Sequence, residues 1–301
     1  MTPDPPRGSR VAAWACLFAV YIVWGTTYLA IRIVVREMPP FAAAAVRFGI
    51  AGVVLGLLAL AFERASGWPT RRQWRDYGLA GLLFLAGGNA GVMWAETRVS
   101  SGIAALMVAT TPLWLTFLDG FRPGGQKWTV RVWLGVLLGL AGVALIARPH
   151  GPAEAGHWTG MAALVAASFI WSLGALHVQS VKTRLGTLSA TSVEMLVGGA
   201  GLILESTLAG ESLSSIPAAS RSAWLGLGYL IVFGAIVGFT AFAYAIHELP
   251  ASTVGTYAYV NPVVAVFLGR LLLDEPLSPG TLAGAALIVV AVVVTTRARS
   301  A

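Results

Sequence analysis

Cysteine, charge and histidine are the scarce residues of this chain. Cys16 is the only cysteine among 301 residues, so the chain closes no disulfide on itself and encodes no thiolate metal cluster. Asp, Glu, Lys and Arg together make up 11%, against about 25% in soluble domains, which sets the chain outside that class. Missing too are the short signatures of catalysis. There is no Gly-x-Ser-x-Gly, no His-Glu-x-x-His, no aspartate-rich cluster on facing segments and no Walker loop. Without these signatures an enzyme is the less favoured class, and direct use of ATP is not encoded. No catalytic residue, cofactor or metal is therefore assigned. The net charge of +7 does not indicate nucleic acid, because the basic residues lie between apolar runs instead of clustering with aromatics.

What is abundant is hydrocarbon and glycine: 57% hydrophobic residues and 35 glycines. Small residues let membrane helices approach closely. Apolar stretches of spanning length fall at 11–35, 40–62, 76–97, 100–118, 128–147, 158–181, 187–209, 221–247, 251–273 and 279–297. Helix is the conformation expected for all ten, since an open strand leaves backbone groups unsatisfied in lipid. Breakers fill the gaps: Pro39-Pro40, Gly67-Trp68-Pro69, Pro123-Gly124-Gly125, Pro149 to Pro152, Pro250, and Pro276 with Pro279. The run after Arg10 is too long for a signal core and is kept as the first span.

The stretch from Ile22 to Ala51 organises the chain. Two apolar segments meet at Pro39-Pro40, each carrying one arginine, Arg32 and Arg47. With the N-terminus inside, the cytoplasmic segments hold Arg7, Arg10, Arg64, Arg71, Arg72, Arg75, Arg122, Lys127, Arg131, Lys182, Arg184, Arg297 and Arg299. The opposite side holds only Arg36, Arg98, Arg148, Arg221 and Arg270. That bias places both termini in the cytoplasm.

A repeat runs through the sequence. Pro112 pairs with Pro262, Gly87 and Gly91 with Gly234 and Gly238, and Trp24 with Trp171, at offsets of 147 to 150 positions. Five spans per copy is odd, so the second copy enters the membrane upside down. Inverted repeats place a solute site near the midplane. The expected units are 11–148 and 158–297, joined by a linker from His150 to His157.

Several residues could line such a site. Tyr21, Trp24 and Tyr28 share one face of the first span, with Thr27 beside them. Asn89 sits among glycines in the third span, and Trp94 follows it. Thr253, Tyr257 and Asn261 precede Pro262, and Thr111 precedes Pro112. Each proline deprives a carbonyl, Ala258 or Val108, of its helical partner. That leaves two readings: a solute contact, or a kink sealed by threonine hydroxyls. Ser168, Ser172 and Gln179 form a polar stripe beside Trp171, and Tyr244 adds a ring from the eighth span. Among charges at depth, Arg47 and Glu194 occupy equivalent repeat positions. Each lies roughly 10 Å into a core about 30 Å thick, from opposite faces, so a direct ion pair is not expected. Glu194 is the candidate for proton coupling, with His177 and Arg47 as further pathway groups. Glu96, Glu205, Asp274 and Glu275, at span ends, are expected to be interfacial or helix-capping.

The motifs resemble an EamA-type member of the drug/metabolite transporter superfamily, which includes the YddG-like aromatic amino acid exporters. Trp24-Gly25, Arg32, Pro39 and Arg47-Phe48 carry the likeness in the first half. In the second half it rests on Asn261-Pro262 and Leu272-Leu273-Asp274-Glu275-Pro276-Leu277-Ser278. Two positions depart from the pattern: Asp119-Gly120-Phe121-Arg122 replaces a glutamate-proline segment, and Trp171-Ser172 replaces Trp-Gly. The resemblance implies an all-α membrane protein of two inverted five-helix repeats in a bacterial inner membrane. It also implies secondary transport by alternating access. Export of aromatic or other neutral amino acids is favoured, because the expected cavity is rich in Trp and Tyr and poor in charge. A lipid translocase of the same fold and an intramembrane enzyme are the alternatives. The partners expected are a small-molecule solute, the lipid bilayer and, if transport is coupled, protons, in a monomer or homodimer.

Overall fold

The structure, a computed structural model, describes residues 7–63, 68–122, 129–146, 156–181, 185–249, 254–275 and 277–297. Thr253, Pro276 and most of the expected linker, 150–155, lie outside the described residues. Among the described residues there is no strand, and the long helices form ten rods. These are α1 (Arg7–Val35), α2 (Pro40–Phe62) and α3 (Arg71–Gly81, Leu82–Asn89, Ala90–Ala95). Next come α4 (Ser101–Val108, Thr111–Asp119), α5 (Val130–Ile146), α6 (His157–Ser180) and α7 (Thr187–Leu208). The last are α8 (Arg221–Tyr229, Leu230–Val237, Gly238–Glu248), α9 (Tyr257–Leu273) and α10 (Pro279–Arg297).

Local chemistry sets the ends. Pro40 starts α2, where its missing N–H costs nothing. Thr70 and Gln73 form a reciprocal capping box at α3. Ser100 and Ser220 accept the free amides of Ile103 and Ala223 at α4 and α8. Asp274 closes α9 with φ at +52°, a left-handed turn that a short polar side chain tolerates. The turn brings the Glu275 amide onto the Gly269 carbonyl and sends its side chain back toward α4.

Seven rods are long and apolar enough to cross a bilayer: α1 to α4 and α6 to α8. The other three are apolar but shorter, as Val130–Ile146, Val260–Leu273 and Pro279–Ala291. α5, with 17 residues, reaches about 26 Å at 1.5 Å per residue, just under a hydrocarbon core of about 30 Å.

The packing has a pattern. α2 lies on α7 and α5 on α10. α1 packs on α8 and α9, and α6 on α3 and α4. α3 packs on α7, α8 on α2, and α4 on α9. Exchanging the first five rods for the last five maps this set onto itself. α2 and α7 run antiparallel, and each ends by capping the other. Glu63, past the end of α2, accepts from the amides of Leu188 and Ser189, at 2.9 Å each. Glu211, past the end of α7, accepts from the amides of Phe41 and Ala42, at 3.3 and 2.8 Å. A carboxylate at a helix N-terminus satisfies free N–H groups and meets the positive end of the helix dipole.

One feature is absent from the sequence reading. α3 and α8 each contain a π segment, Leu82–Asn89 and Leu230–Val237. Their starts are 148 positions apart. π segments are rare and collect at functional sites.

Candidate functional site

A narrow cavity of about 70 Å³ lies among the rods where both π segments end. α1 supplies Trp24, Thr27, Tyr28 and Ile31, and α2 supplies Arg47. α3 brings Gly88, Asn89 and Val92, and α4 brings Val108. Ala167, Ser168 and Trp171 come from α6, Phe239 from α8, and Tyr257 and Asn261 from α9. Its walls combine apolar surface with a few placed polar groups, as ligand pockets do, but in this arrangement it is smaller than the roughly 300–1,000 Å³ of an open pocket.

Trp24 is the hub. Its ring meets Trp171, Phe239, Phe242 and Tyr257 at centroid distances of 5.1 to 5.9 Å. Rings from four rods thus nearly close the space. Trp24 Nε1 donates to the Gly234 carbonyl at 3.2 Å. One turn earlier in the same π segment, the Leu230 carbonyl accepts Arg47 Nε, also at 3.2 Å. Gly238 has to be glycine for this: a Cβ there would lie 2.4 Å from Trp24 Nε1.

Arg47 is 1% exposed. Its partners are the Leu230 carbonyl, Asn89 Oδ1 at 3.4 Å, and the Phe48 ring 4.5 Å beneath it. Among the described residues no carboxylate pairs with it, and Glu194 does not approach it. It is the only charged residue in the cavity wall. Asn261, with its amide nitrogen turned toward the backbone, donates to the carbonyls of Tyr21 and Tyr257 at 3.1 Å each. Tyr21 also hydrogen-bonds Thr256. These contacts fix α9 against α1.

The structure therefore gathers Trp24, Thr27, Tyr28, Arg47, Asn89, Trp171, Tyr257 and Asn261 around one space. The other sequence candidates lie elsewhere. Trp94 is near the end of α3 under the Arg98 guanidinium, 3.6 Å away. His177 donates to the Asp76 carbonyl at 2.8 Å, which ties α6 to the start of α3. Glu194 is half-buried on α7, where its own carbonyl passes so close to Gly81 that a Cβ would sit 2.0 Å away. Tyr244 is half-buried on α8, packed against the core and outside the wall. Thr111 borders a separate, smaller void with Trp171 and Tyr257. Its hydroxyl caps the Val108 carbonyl at 2.7 Å. The carbonyl freed by Pro112 thus accepts from threonine, as in the sealed-kink reading, while Val108 itself lines the cavity. Ser168 lines the cavity, but its hydroxyl bonds back to Leu164.

Sequence reasoning missed Phe239 and misplaced Glu96. Phe239 follows Gly238, and that pairing was the available signal. Glu96 was expected to be interfacial or helix-capping, yet it is 0% exposed and its carboxyl oxygens cap nothing. The larger void lies between α2 and α7, with a volume of about 500 Å³. Its carboxylate and hydroxyl groups are engaged: Glu63 caps α7 and takes the Ser189 hydroxyl, and Ser192 donates to the Gly52 carbonyl at 2.8 Å. The indoles of Trp68 and Trp74 and hydrocarbon from Val53, Leu57, Leu60 and Leu196 line the rest.

The EamA-like transporter family model matches residues 11–148 and 158–297. The chain is 39% identical over 284 residues to the "Uncharacterized inner membrane transporter YedA" of Escherichia coli (strain K12), covering 94% of this chain and 90% of that protein. It is 24% identical over 290 residues to a "Probable terminal-alkyne amino-acid exporter" of Streptantibioticus cattleyicolor, covering 95% and 93%. A solved chain described as "Crystal structure of protein" shares the fold, with TM-score 0.67, 24% identity, and coverage of 96% and 98%. With both halves of its length matched and helices built to cross lipid, this chain is a membrane transporter that belongs to the EamA-like transporter family.

Proposed function

We propose that this protein exports small, partly apolar carboxylates, aromatic or other neutral amino acids first among them, by alternating access across a bacterial inner membrane. One arrangement carries the reading: a cavity walled by aromatic rings whose single charge, Arg47, is buried without a carboxylate partner among the described residues. An unpaired buried cation is costly. A solute carboxylate would satisfy it with charge-assisted hydrogen bonds. The rings of Trp24, Trp171, Phe239 and Tyr257 would take the apolar part.

Two further observations support the architecture. The rods pack in a set unchanged by exchanging first half for second, and Glu63 and Glu211 cap each other's partner helices. Such reciprocity fits ten spans in two inverted five-helix repeats, as alternating access requires. The distribution of Lys and Arg favours cytoplasmic termini. Amino-acid export is what the Streptantibioticus relative's description states of that protein, and inner-membrane location is what the Escherichia relative's states.

Lipid translocation is the second reading, favoured by the large groove between α2 and α7. The one carboxylate of that groove, Glu63, is spent on capping α7, and its serine hydroxyls are engaged too, so the groove holds no free charge for a headgroup and the central cavity is preferred. The test is flux of labelled phenylalanine and of its amide in proteoliposomes. Phenylalanine is expected to cross and the amide, which lacks the carboxylate, to cross at least about tenfold more slowly, the equivalent of one charge-assisted contact. Equal rates would remove Arg47 from substrate recognition.

A further inference from the structure

Outside the central cavity, two carboxyl groups meet where α1 and α3 end, α4 begins and the chain turns after α9. Glu275 is 7% exposed and Glu96 0%. They are satisfied very differently. Glu275 accepts from the Ser101 amide and Ser101 Oγ at 2.9 Å each, and from the Gly102 amide at 3.1 Å. These donors form the first turn of α4, where a negative charge is welcome. Glu96 has none of this: both its carboxyl oxygens are buried without a hydrogen-bond partner. Nearby, Arg32 Nη1 donates to Glu96's own main-chain carbonyl, while Arg32 Nε is buried and unpartnered.

Buried polar groups are nearly always hydrogen-bonded. Glu96 has two unpartnered carboxyl oxygens and Arg32 one unpartnered nitrogen close by, so a contact between the two side chains would satisfy both. Their position suits a gate. Arg32 lies one turn beyond Tyr28 on α1, and Glu96 one turn beyond Val92 on α3, and Tyr28 and Val92 line the cavity. The acid and base thus sit one turn past the cavity, on the two helices that flank it.

We infer that Glu96 is the proton-binding site of this transporter and that Arg32 is its switchable counter-ion. The inference rests on the transporter reading above. Proton-free Glu96 pairs with Arg32 and ties α3 to α1. One proton bound to a carboxylate oxygen makes the neutral acid and releases the pair, which is the separated arrangement seen. The proton leaves to water when the cavity faces the other side. Glu275 does not take this part, because its carboxyl oxygens are already engaged by three donors at the start of α4.

The groups acting on Glu96 come from each element around it. α1 brings Tyr28 and Arg32, and the turn after α9 brings Glu275. Arg98, two residues on, lies over Trp94. α2 brings Arg47, bonded to Leu230 and Asn89. α6 brings His157 at its start, whose ring stands edge-on to Trp158.

Infrared difference spectroscopy of the reconstituted full chain, between acid and alkaline buffer, tests this without any solute. A protonated-carboxyl stretch is expected to titrate in wild type and in Glu275→Gln, and to vanish in Glu96→Gln. Glu96→Asp keeps an acid and should keep a displaced band, which separates loss of the proton site from misfolding. Arg32→Gln should move the midpoint up by about one to three pH units, the shift an opposite charge ordinarily imposes. A band that survives Glu96→Gln, or the lack of any titrating band in wild type, overturns the inference. In proteoliposomes an imposed pH gradient should speed labelled phenylalanine flux in wild type and leave Glu96→Gln unaffected. Equal acceleration in both would sink the coupling role. If the band titrates but phenylalanine does not cross, the substrate reading falls and the proton site stands.

Discussion

Trp24 and Trp171, 147 positions apart and equivalent in the repeat, meet edge to face with centroids 5.9 Å apart and planes at 87°. The contact lies between the first rod of each half. It holds the middle of the cavity nearly shut, and under the proposed function a solute parts these rings to pass.

Trp24 is the first place to cut. Trp24→Ala removes four ring contacts, each worth about 0.5–1.5 kcal/mol. Where one or two of these are taken over by the solute's own ring, apparent affinity for aromatic solutes should fall about tenfold. Affinity for small aliphatic solutes should change less. Competition assays with phenylalanine and alanine against a labelled solute read the difference directly.

The reciprocal caps give a stability prediction. Glu63→Ala and Glu211→Ala each strip the N-terminus of the partner helix, at a cost of roughly 0.5–2 kcal/mol. If α2 and α7 are equivalent members of two repeats, the two losses should be equal within error, and the double variant should show their sum. Unfolding in mixed detergent micelles measures all three. Strongly unequal losses would count against the repeat.

Close helix contact makes Gly81 sensitive. A Cβ at this position would lie 2.0 Å from the Glu194 carbonyl oxygen. Backbone has to move, so Gly81→Ala should destabilise by about 1–3 kcal/mol, as overpacking does. Gly49, where a Cβ meets nothing within 4 Å, is the control: Gly49→Ala should be harmless in the same unfolding assay.

Glu37 supplies a pH prediction. It lies between α1 and α2 and accepts from the Ser220 hydroxyl and amide at 2.6 Å each. Those hydrogen bonds to the charged form hold its pKa below the ordinary 4.5. The sign follows: a depressed folded value means the cap is fully present above the unfolded value and lost as pH falls through the folded one. Because Glu37 is exposed, the effect should be local. Protection of the amides at the start of α8, measured against their intrinsic exchange rates, should fall as pH drops below the ordinary carboxylate range, and in Glu37→Gln it should be low throughout.

The membrane-helix class was legible because period and length leave little choice in lipid, and Pro39-Pro40, Thr70 and Ser220 mark where helices start. Much of the wall was legible too. Trp24, Asn89, Trp171 and Asn261 stood out as polar or aromatic groups at mid-span, where hydrocarbon is the expectation. The π segments were not legible, since Leu82–Asn89 and Leu230–Val237 are apolar runs that a regular helix fits equally well. Their effect on the site is large, because Leu230 and Gly234 offer their carbonyls to Arg47 and Trp24. Glu96 was misjudged for a related reason. A position at the end of a helix looks interfacial in sequence, but the turn at Asp274 folds Glu275 over it and Arg32 closes the other side. Burial of that kind depends on three distant segments meeting, which no local pattern encodes. Thr111 shows the opposite case, where a hydroxyl that looked available for a solute is spent on its own helix.

The account stands on the cavity being the solute path, reached in turn from either side. Ala167, 2% exposed in its wall, is replaced by cysteine in a Cys16→Ser background and treated with a membrane-impermeant thiol reagent in oriented vesicles. The account predicts labelling from both faces, slowed by phenylalanine, while Leu57→Cys on the outward surface, 62% exposed, stays unlabelled. Ala167→Cys that reacts from neither face, or that phenylalanine does not protect, would contradict it.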